Sequence, residues 1–354
     1  MADMSIIAAN AQFEARLRAR CDVVEDDLRY KRKRMDKSAF VFLRATYFRW
    51  AQTIEGLCPD LKSAIAVLSI GDTHVENFGT WRDLEGRLIW GANDFDEASV
   101  MPYPFDLVRL AASAMLAAPA VPKDRMTAAV LRGYAAGLKS PKPCVVDNAS
   151  AQLVTAVADT QVSHKSFWAE MTAAQSDTPP DVVRAALLAA LPGPATAVRF
   201  ARRRAGGGGL GRPRFIVVAP WLGGLVVREA KALVPSAWDW AQGHADTPPR
   251  FLDLAKAPWR AVDPYLGQSG NFIIRRLAPD AHKHNFSGRD RPKLGRALLE
   301  AMGCEIGGLH AASPEVGAAI LRDLKRRPVD WLLVAAQTAA EATRQDFKAW
   351  RSRR

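Results

Sequence analysis

Apolar positions at helical spacing mark the start of the chain. In "SAFVFLRATYFRWAQTI" (38–54), Phe40, Leu43, Tyr47 and Trp50 share one face, which predicts a single amphipathic helix. The charged stretch 5–36 before it also reads as helical. Two short apolar runs then change the period. "SAIAVLSI" (63–70) reads as a buried strand, and "GRLIWGANDFD" (86–96) as a second, entered through the turn "RDLEG". "PYPFDLVRLAASAMLAAPA" (102–120) follows as a helix whose prolines suit a first turn, and another helix runs to about Lys139. "SPKPC" (140–144) is a candidate linker, and 148–204 read as helical with breaks at "SDTPPD" and "LPGP". The texture changes at "RRRAGGGGLGRPRF". A glycine run passes into β-branched segments, "FIVVAPW" and "LVVREAK", which predict a hairpin turning at Gly223–Gly224. "NFIIRRL" (271–277) is a further strand, and from about Lys293 the chain reads as helical to its end.

Length and composition bound the reading. The 354 residues make room for two domains or one two-lobed domain, with 49% hydrophobic and 24% charged residues. No apolar run reaches the roughly 18 residues of a membrane helix, because Val108 to Val121 is short and holds Arg109. The first ten residues lack a signal-peptide pattern. Cys21, Cys58, Cys144 and Cys304 are scattered and form no CxxC pair, so a cytoplasmic protein is expected. The net charge is +12, with basic clusters at 31–34, 202–204, 325–327 and the C-terminus. Such a charge attracts phosphates of any kind, or simply forms a solvated surface. No nucleic-acid-reading motif accompanies it.

The chemistry concentrates in "SIGDTHVENFGTW" (69–81) and "NDFDE" (93–97). Asp72 and Asn77 have the spacing of a catalytic carboxylate and a metal-holding asparagine in phosphoryl transfer, and Asp94 follows one hairpin later. Asp96 and Glu97 add acidity, and a divalent ion that binds nucleotide phosphates needs hard oxygens of this kind. Each motif alone is compatible with a polar turn. Two of them, each ending an apolar strand and joined by a hairpin, favour chemistry. The glycines Gly206, Gly207, Gly208, Gly209 and Gly211 precede the later hairpin, where backbone amides can approach a phosphate closely. Arg228 and Lys231 offer a cation on the hairpin's second strand. Three apart, they face opposite ways.

The two acidic motifs resemble those of the protein-kinase-like fold, in the variant of the aminoglycoside and choline phosphotransferases. "IGDTHVEN" matches that pattern except for Ile70, Asp106 of "PFDLVRL" matches an aspartate that braces the catalytic loop, and His74 matches a histidine that shapes it. The glycine loop here comes after the catalytic loop, and "ALLEAMGCEIGGLHAAS" (297–313) resembles the helix that ordinarily precedes that loop. The resemblance therefore implies circular permutation. The segments "KRMDKSAFVFLRATYFRW", "GDTHVENFG", "NDFDEASVMPYPFDLVRLAASA", "REAKALVPSAW", "FIIRRLAPDAHK" and "LLEAMGCEIGGLHA" together resemble the bacterial domain of unknown function 2252 family. The register of that family places Arg228, not Lys231, at the cation position.

These readings imply an α+β, two-lobed, kinase-like fold. Residues 1–200 are expected to form a helical lobe with the catalytic loop and metal segment, 201–290 a small β-rich nucleotide lobe, and 291–354 the helices that complete the large lobe. The expected function is an ATP- and Mg2+-dependent phosphotransferase with an unknown acceptor, small molecule or protein. Asp72 would be the catalytic base; Asn77, Asp94 and Asp96 would serve the metal; Gly206–Gly209, Gly211, Arg228 and Lys231 would serve the nucleotide. Arg44 is a candidate contact of the acidic loop or a phosphate, one of Arg275 and Arg276 is expected to pair with an acid, and Asp253 is a candidate partner for the small-lobe cation. A catalytically weak nucleotide-binding pseudokinase, a basic nucleic-acid-binding protein and a metal-dependent hydrolase are the competing readings.

Overall fold

The computed structural model describes residues 4–158, 163–193, 195–281, 283 and 294–353. Lys293, where the last helical stretch was expected to begin, and Pro194 of "LPGP" lie outside these residues. The architecture is a mixture of helices and small antiparallel sheets. Helices α1 (Ile6–Arg18), α2 (Glu25–Met35), α3 (Ala39–Ala45) and α4 (Tyr47–Leu57) come first. The single helix expected over 38–54 is in fact two. Thr46 leaves the helical region at φ −123°, ψ 39°, and its hydroxyl donates to the Phe42 carbonyl at 2.8 Å.

Strand β1 (Ala66–Ser69) leads into the acidic loop that carries Asp72 and Asn77. Strands β2 (Phe78–Arg82) and β3 (Leu88–Ala92) form a hairpin, and β4 (Ser99–Pro102) returns to pair with β1. Helices α5 (Pro104–Ala117) and α6 (Lys123–Lys139) follow. The expected linker 140–144 ends in structure: β5 (Cys144–Val145) pairs with β3 and extends its sheet. The stretch read as helical to 204 holds α7 (Ala151–Ala158), α8 (His164–Ala173) and α9 (Asp181–Ala189), but it closes on a strand, β6 (Arg199–Arg202). The strand wins because its residues pair with β7 (Arg214–Trp221).

Strand β7 turns into β8 (Gly224–Ala232) through Leu222 and Gly223, one residue earlier than expected. Both turn residues have positive φ, 45° and 83°, and Trp221 pairs with Gly224 across the turn. Short helices α10 (Ala237–Ala241) and α11 (Phe251–Ala255) lead to β9 (Gly267–Ser269) and β10 (Phe272–Leu277). These strands complete a five-stranded antiparallel sheet in the order β6-β7-β8-β10-β9. Helices α12 (Arg296–His310), α13 (Pro314–Arg326) and α14 (Trp331–Arg351) end the chain.

The packing falls into one large and several smaller apolar clusters. The large one unites α1, α3–α6, α10, α11, α12 and α14. Two smaller ones lie on the five-stranded sheet, where α9 supplies Val183 and Leu187 and α8 supplies Met171. Within the large cluster α5 is buried along nearly its whole length, Asp106 and Arg109 included.

Helices α6 and α12 meet backbone to backbone. A Cβ on Gly133 would lie 1.9 Å from the Glu300 carbonyl oxygen, and one on Gly303 would lie 2.2 Å from that of Val130. Alanine has the higher helix propensity by about 1 kcal/mol, yet Gly133→Ala is expected to destabilise by about 1–3 kcal/mol net, because backbone cannot yield as a side chain can. Urea unfolding would check this; a stabilised variant would show that the two helices are free to separate.

Candidate functional site

The site is assembled by three local devices. The first is the brace. Asp106, fully buried near the start of α5, accepts from the Ile70 amide at 2.8 Å, the Gly71 amide at 2.9 Å and the Thr73 hydroxyl at 2.7 Å. His310, the last residue of α12, places Nε2 3.2 Å from the same carboxylate. Gly71 makes the sharp turn at φ +80°, and a Cβ there would lie 2.4 Å from the Glu97 carbonyl oxygen.

The second device is the β2–β3 hairpin. Phe78 pairs with Ala92, and the Asn93 amide donates to the Asn77 carbonyl at 3.2 Å. This brings Asn77, in a single 3-10 turn at Val75–Asn77, against Asp94. The Asn77 amide nitrogen donates to the carbonyls of Asp72 (3.1 Å) and Asp94 (3.0 Å). With the nitrogen so occupied, Oδ1 is oriented, and it is buried with no hydrogen-bond partner among the described residues.

The third device is the glycine loop between β6 and β7. Lys31 donates to the Gly208 carbonyl at 3.2 Å, Arg34 to that of Gly206 at 2.7 Å, and Val24 to that of Gly211 at 2.9 Å. The amides of Gly206 to Gly209 make no hydrogen bond among the described residues. The loop lies directly over Asp72: a Cβ on Gly208 would lie 3.3 Å from Asp72 Oδ2 and 3.0 Å from the Arg44 carbonyl oxygen.

The hairpin end and the glycine loop line one cavity of about 440 Å³ together with Asp72, whose loop the brace holds from behind. Asp72 is held there by Arg109, whose Nε and terminal nitrogen reach Oδ1 at 3.1 and 2.5 Å. Arg109 is 1% exposed, packs over the rings of Tyr47 and Trp50, and donates to the Leu43 carbonyl at 2.9 Å. Asp72 Oδ2 makes no hydrogen bond among the described residues and has His74 Nε2 at 4.0 Å. His74 Nδ1 accepts from the Glu76 amide at 3.1 Å. Burial, with Arg44, Arg109 and Lys283 adding their charges, holds this imidazole well below its usual range and therefore neutral. Arg44 pairs with Glu76 beneath the loop.

Asp94 faces two ammonium groups, Lys231 at 3.5 Å from Oδ1 and Lys283 at 2.6 Å from Oδ2. Burial alone would raise its carboxyl, but the two lysines and a hydrogen bond with Asp96 outweigh that and hold it well below the usual carboxylate range. Asp96 pairs with Lys231 and with Arg212 at 3.1 Å. Glu97 bonds Arg212 at 2.6 Å and the Ala237 amide at 2.7 Å, and burial pushes its carboxyl up against the pull of Arg212.

The structure thus brings together Asp72, Asn77, Asp94, Asp96, Lys231 and Gly206–Gly209, while Gly211 lies under α2 against Leu28. Arg228 is elsewhere. It donates to the Ala190 carbonyl at 2.8 Å and packs on the Tyr265 ring, on the other face of β8. Asp253 does not meet the small-lobe cation; it bonds Arg250 at 3.0 Å, and the acids at Lys231 are Asp94 and Asp96. Arg275 pairs with Glu229 and Arg276 lies 3.7 Å from Asp263.

Four contributors escaped the sequence reading: Arg109, Arg212, Lys31 and Lys283. Arg109 carried a signal, a lone charge inside an apolar helical run. Lys31 sat in a basic cluster that read as surface; among the described residues of these clusters it alone is fully buried, while several of the others form ion pairs at or near the surface. Arg32 bonds Glu14, Arg202 bonds Asp177, Arg204 bonds Asp27, and Arg327 bonds Asp323.

Among the described residues no three His, Cys, Asp or Glu side chains converge as a metal cage. The oxygen donors at this point are one carboxylate, Asp94, and the unpartnered amide oxygen of Asn77. That donor set fits magnesium, which is commonly held by one or two carboxylates with the substrate's phosphates completing its shell.

No curated protein and no solved structure matches the chain. Residues 20–175, which include Asp72, Asn77, Asp94 and Asp106 but neither the glycine loop nor Lys231, match the model of a family described as an uncharacterized protein conserved in bacteria, domain of unknown function 2252.

Proposed function

We propose that the protein is an ATP- and magnesium-dependent phosphotransferase of protein-kinase-like fold with a circularly permuted chain. The observation that carries this reading is the oriented, unpartnered Asn77 Oδ1 beside Asp94, in a cavity covered by a loop of unpaired glycine amides. Phosphoryl transfer asks the protein mainly for positioning and charge. Asn77 and Asp94 would hold the magnesium ion, which when bound offsets the charge of the nucleotide phosphates. Lys231 adds a cation from β8, the second strand of the hairpin that follows the glycine loop, and the amides of Gly206–Gly209 would face the phosphates. Arg109 fixes Asp72 through Oδ1 and leaves Oδ2 to orient the acceptor hydroxyl and take its proton as the acceptor oxygen bonds to the γ-phosphorus and the bond from that phosphorus to the bridging oxygen breaks, releasing ADP.

Calorimetry of ATP binding in the presence of magnesium tests the reading. The wild type is expected to bind. Asp94→Ala is expected to weaken binding by more than about 100-fold, since losing even the outer partners of metal ligands costs about 10–100-fold. No heat in the wild type, or equal heat in the variant, overturns the proposal.

A second reading is favoured by the same Arg109 contact and by the closeness of Gly208 to Asp72. A carboxylate tied to a buried guanidinium under a closed loop also suits a nucleotide-binding protein with little turnover. Nucleotide binding without ATP consumption across a broad panel of acceptors would select that reading.

A further inference from the structure

The end of the cavity built by the N-terminal helices holds buried donors with unmet hydrogen-bonding capacity. Lys31, on α2, is 2% exposed. Its ammonium donates to the Gly208 carbonyl at 3.2 Å and sits 5.0 Å from the centre of the Phe13 ring. Among the described residues no carboxylate pairs with it, so two of its three N–H groups have no protein acceptor. Tyr47, at the start of α4, has a buried hydroxyl without a partner, and Arg44, at the end of α3, has a buried Nε without one. All three side chains line the same cavity as Asp72.

A buried ammonium without a counter-charge is costly, and it either loses its proton or meets an anion. We infer that this end of the cavity receives the acceptor, and that the acceptor is a small hydroxylated molecule carrying an anionic group, carboxylate or phosphate, which Lys31 binds with hydrogen bonds from Tyr47 and Arg44. The inference rests on the phosphotransferase reading for its assignment to the acceptor. The other source of an anion is the nucleotide itself. The acceptor is favoured because the nucleotide already has its own lysine: Lys231 approaches the loop at Gly209, where a Cβ would lie 3.2 Å from its Cε, whereas Lys31 comes from α2 and holds Gly208. Burial, with Arg212 adding to it, pushes the Lys31 ammonium down to about 8, and Glu14 of α1, Glu97 and Asp72 pull it the other way. The charge on this group is therefore poised to depend on an anion.

Sulfate, whose charge is constant over the useful pH range, is the probe. It would be titrated into the full chain by calorimetry, with and without magnesium and a non-hydrolysable ATP analogue. The wild type is expected to bind sulfate in both conditions. Lys31→Met should weaken sulfate by at least about tenfold, the loss of one charge-assisted contact, while retaining analogue heat and a cooperative melt. Lys31→Arg should restore it. As pH rises above about 8, sulfate affinity should fall in the wild type and persist in Lys31→Arg, a difference that a mere structural bond to Gly208 would not produce. No sulfate heat in the wild type, undiminished heat in Lys31→Met, or displacement of sulfate by the analogue overturns the inference. Lys31-dependent sulfate heat in a wild type that binds no analogue instead overturns the phosphotransferase reading and leaves the anion site standing.

Discussion

Glu229→Gln is expected to cost about 3–5 kcal/mol of stability, the scale of removing one partner from a buried ion pair. Glu229 is fully buried on β8 and holds three guanidinium groups: Arg203 at 2.9 Å, Arg214 at 3.1 Å and Arg275 at 2.5 Å. The substitution leaves three cations gathered around a neutral amide. Arg203 and Arg275 keep some access to water and can turn outward, but Arg214, at 7% side-chain exposure, cannot. Urea unfolding followed by tryptophan fluorescence gives the number; a loss below about 1 kcal/mol would mean that the arginines relax freely and that the pairs resemble surface ones.

The same residue predicts a pH dependence. Burial alone would raise the Glu229 carboxyl, but Arg214, Arg275 and Arg203 outweigh it and hold the group well below the usual range. Between the folded and unfolded values the unfolded chain therefore binds the extra proton, and stability rises with pH. The contribution is complete above the unfolded glutamate value of about 4.3 and is lost as pH falls from there through the folded value. Wild-type stability should drop more steeply on acidification than that of Glu229→Gln. Parallel curves would show that Glu229 is not the group being titrated.

The second large effect is expected at the brace of the Asp72 loop. Asp106→Ala removes the acceptor for two amides and a hydroxyl, all buried, and each orphaned donor costs about 1–3 kcal/mol. A total loss of about 3–5 kcal/mol is expected, allowing for partial relaxation. Hydrogen exchange locates the effect: the Ile70 and Gly71 amides should lose protection first, because Asp106 is their partner. Asp106→Asn keeps one acceptor oxygen and should lie between. If the Ile70 and Gly71 amides stay protected in Asp106→Ala, the loop is held by something other than this carboxylate, and the position of Asp72 would not depend on α5.

The legible part of this site is its local part. Asp72, Asn77 and Asp94 could be picked out because a hairpin of known length joins them, and strand pairing brings the two ends of such a hairpin together. Asp106 was legible only through the resemblance of "PFDLVRL" to the phosphotransferase pattern; in the structure β4 pairs with β1, and α5, which follows β4, carries Asp106 to the loop after β1. Less legible were pairings across long separations. Lys31 meets a loop at Gly208, Arg212 meets Asp96 and Glu97, and Lys283 meets Asp94. Nothing in the neighbourhood of either partner announces such a contact.

The errors have the same origin. Residues 38–54 keep helical spacing throughout, but packing breaks the helix at Thr46 so that Arg44 and Tyr47 both reach the cavity. Residues 199–202 lack a strong strand pattern and become a strand because β7 offers them an edge.

By itself, then, the sequence determined the mixture of helices and antiparallel strands, the acidic hairpin and the glycine loop, because these depend on periodicity, turn chemistry and short-range spacing. It also determined that Arg228 and Lys231 point to opposite faces of β8, since side chains alternate along a strand. Which of the two meets Asp94 is a different kind of fact. It depends on which face of the sheet closes over the acidic loop of Asp72 and Asp94, and only the tertiary packing of the sheet against the helices decides that, placing Lys231 beside Asp94 and Arg228 on the ring of Tyr265.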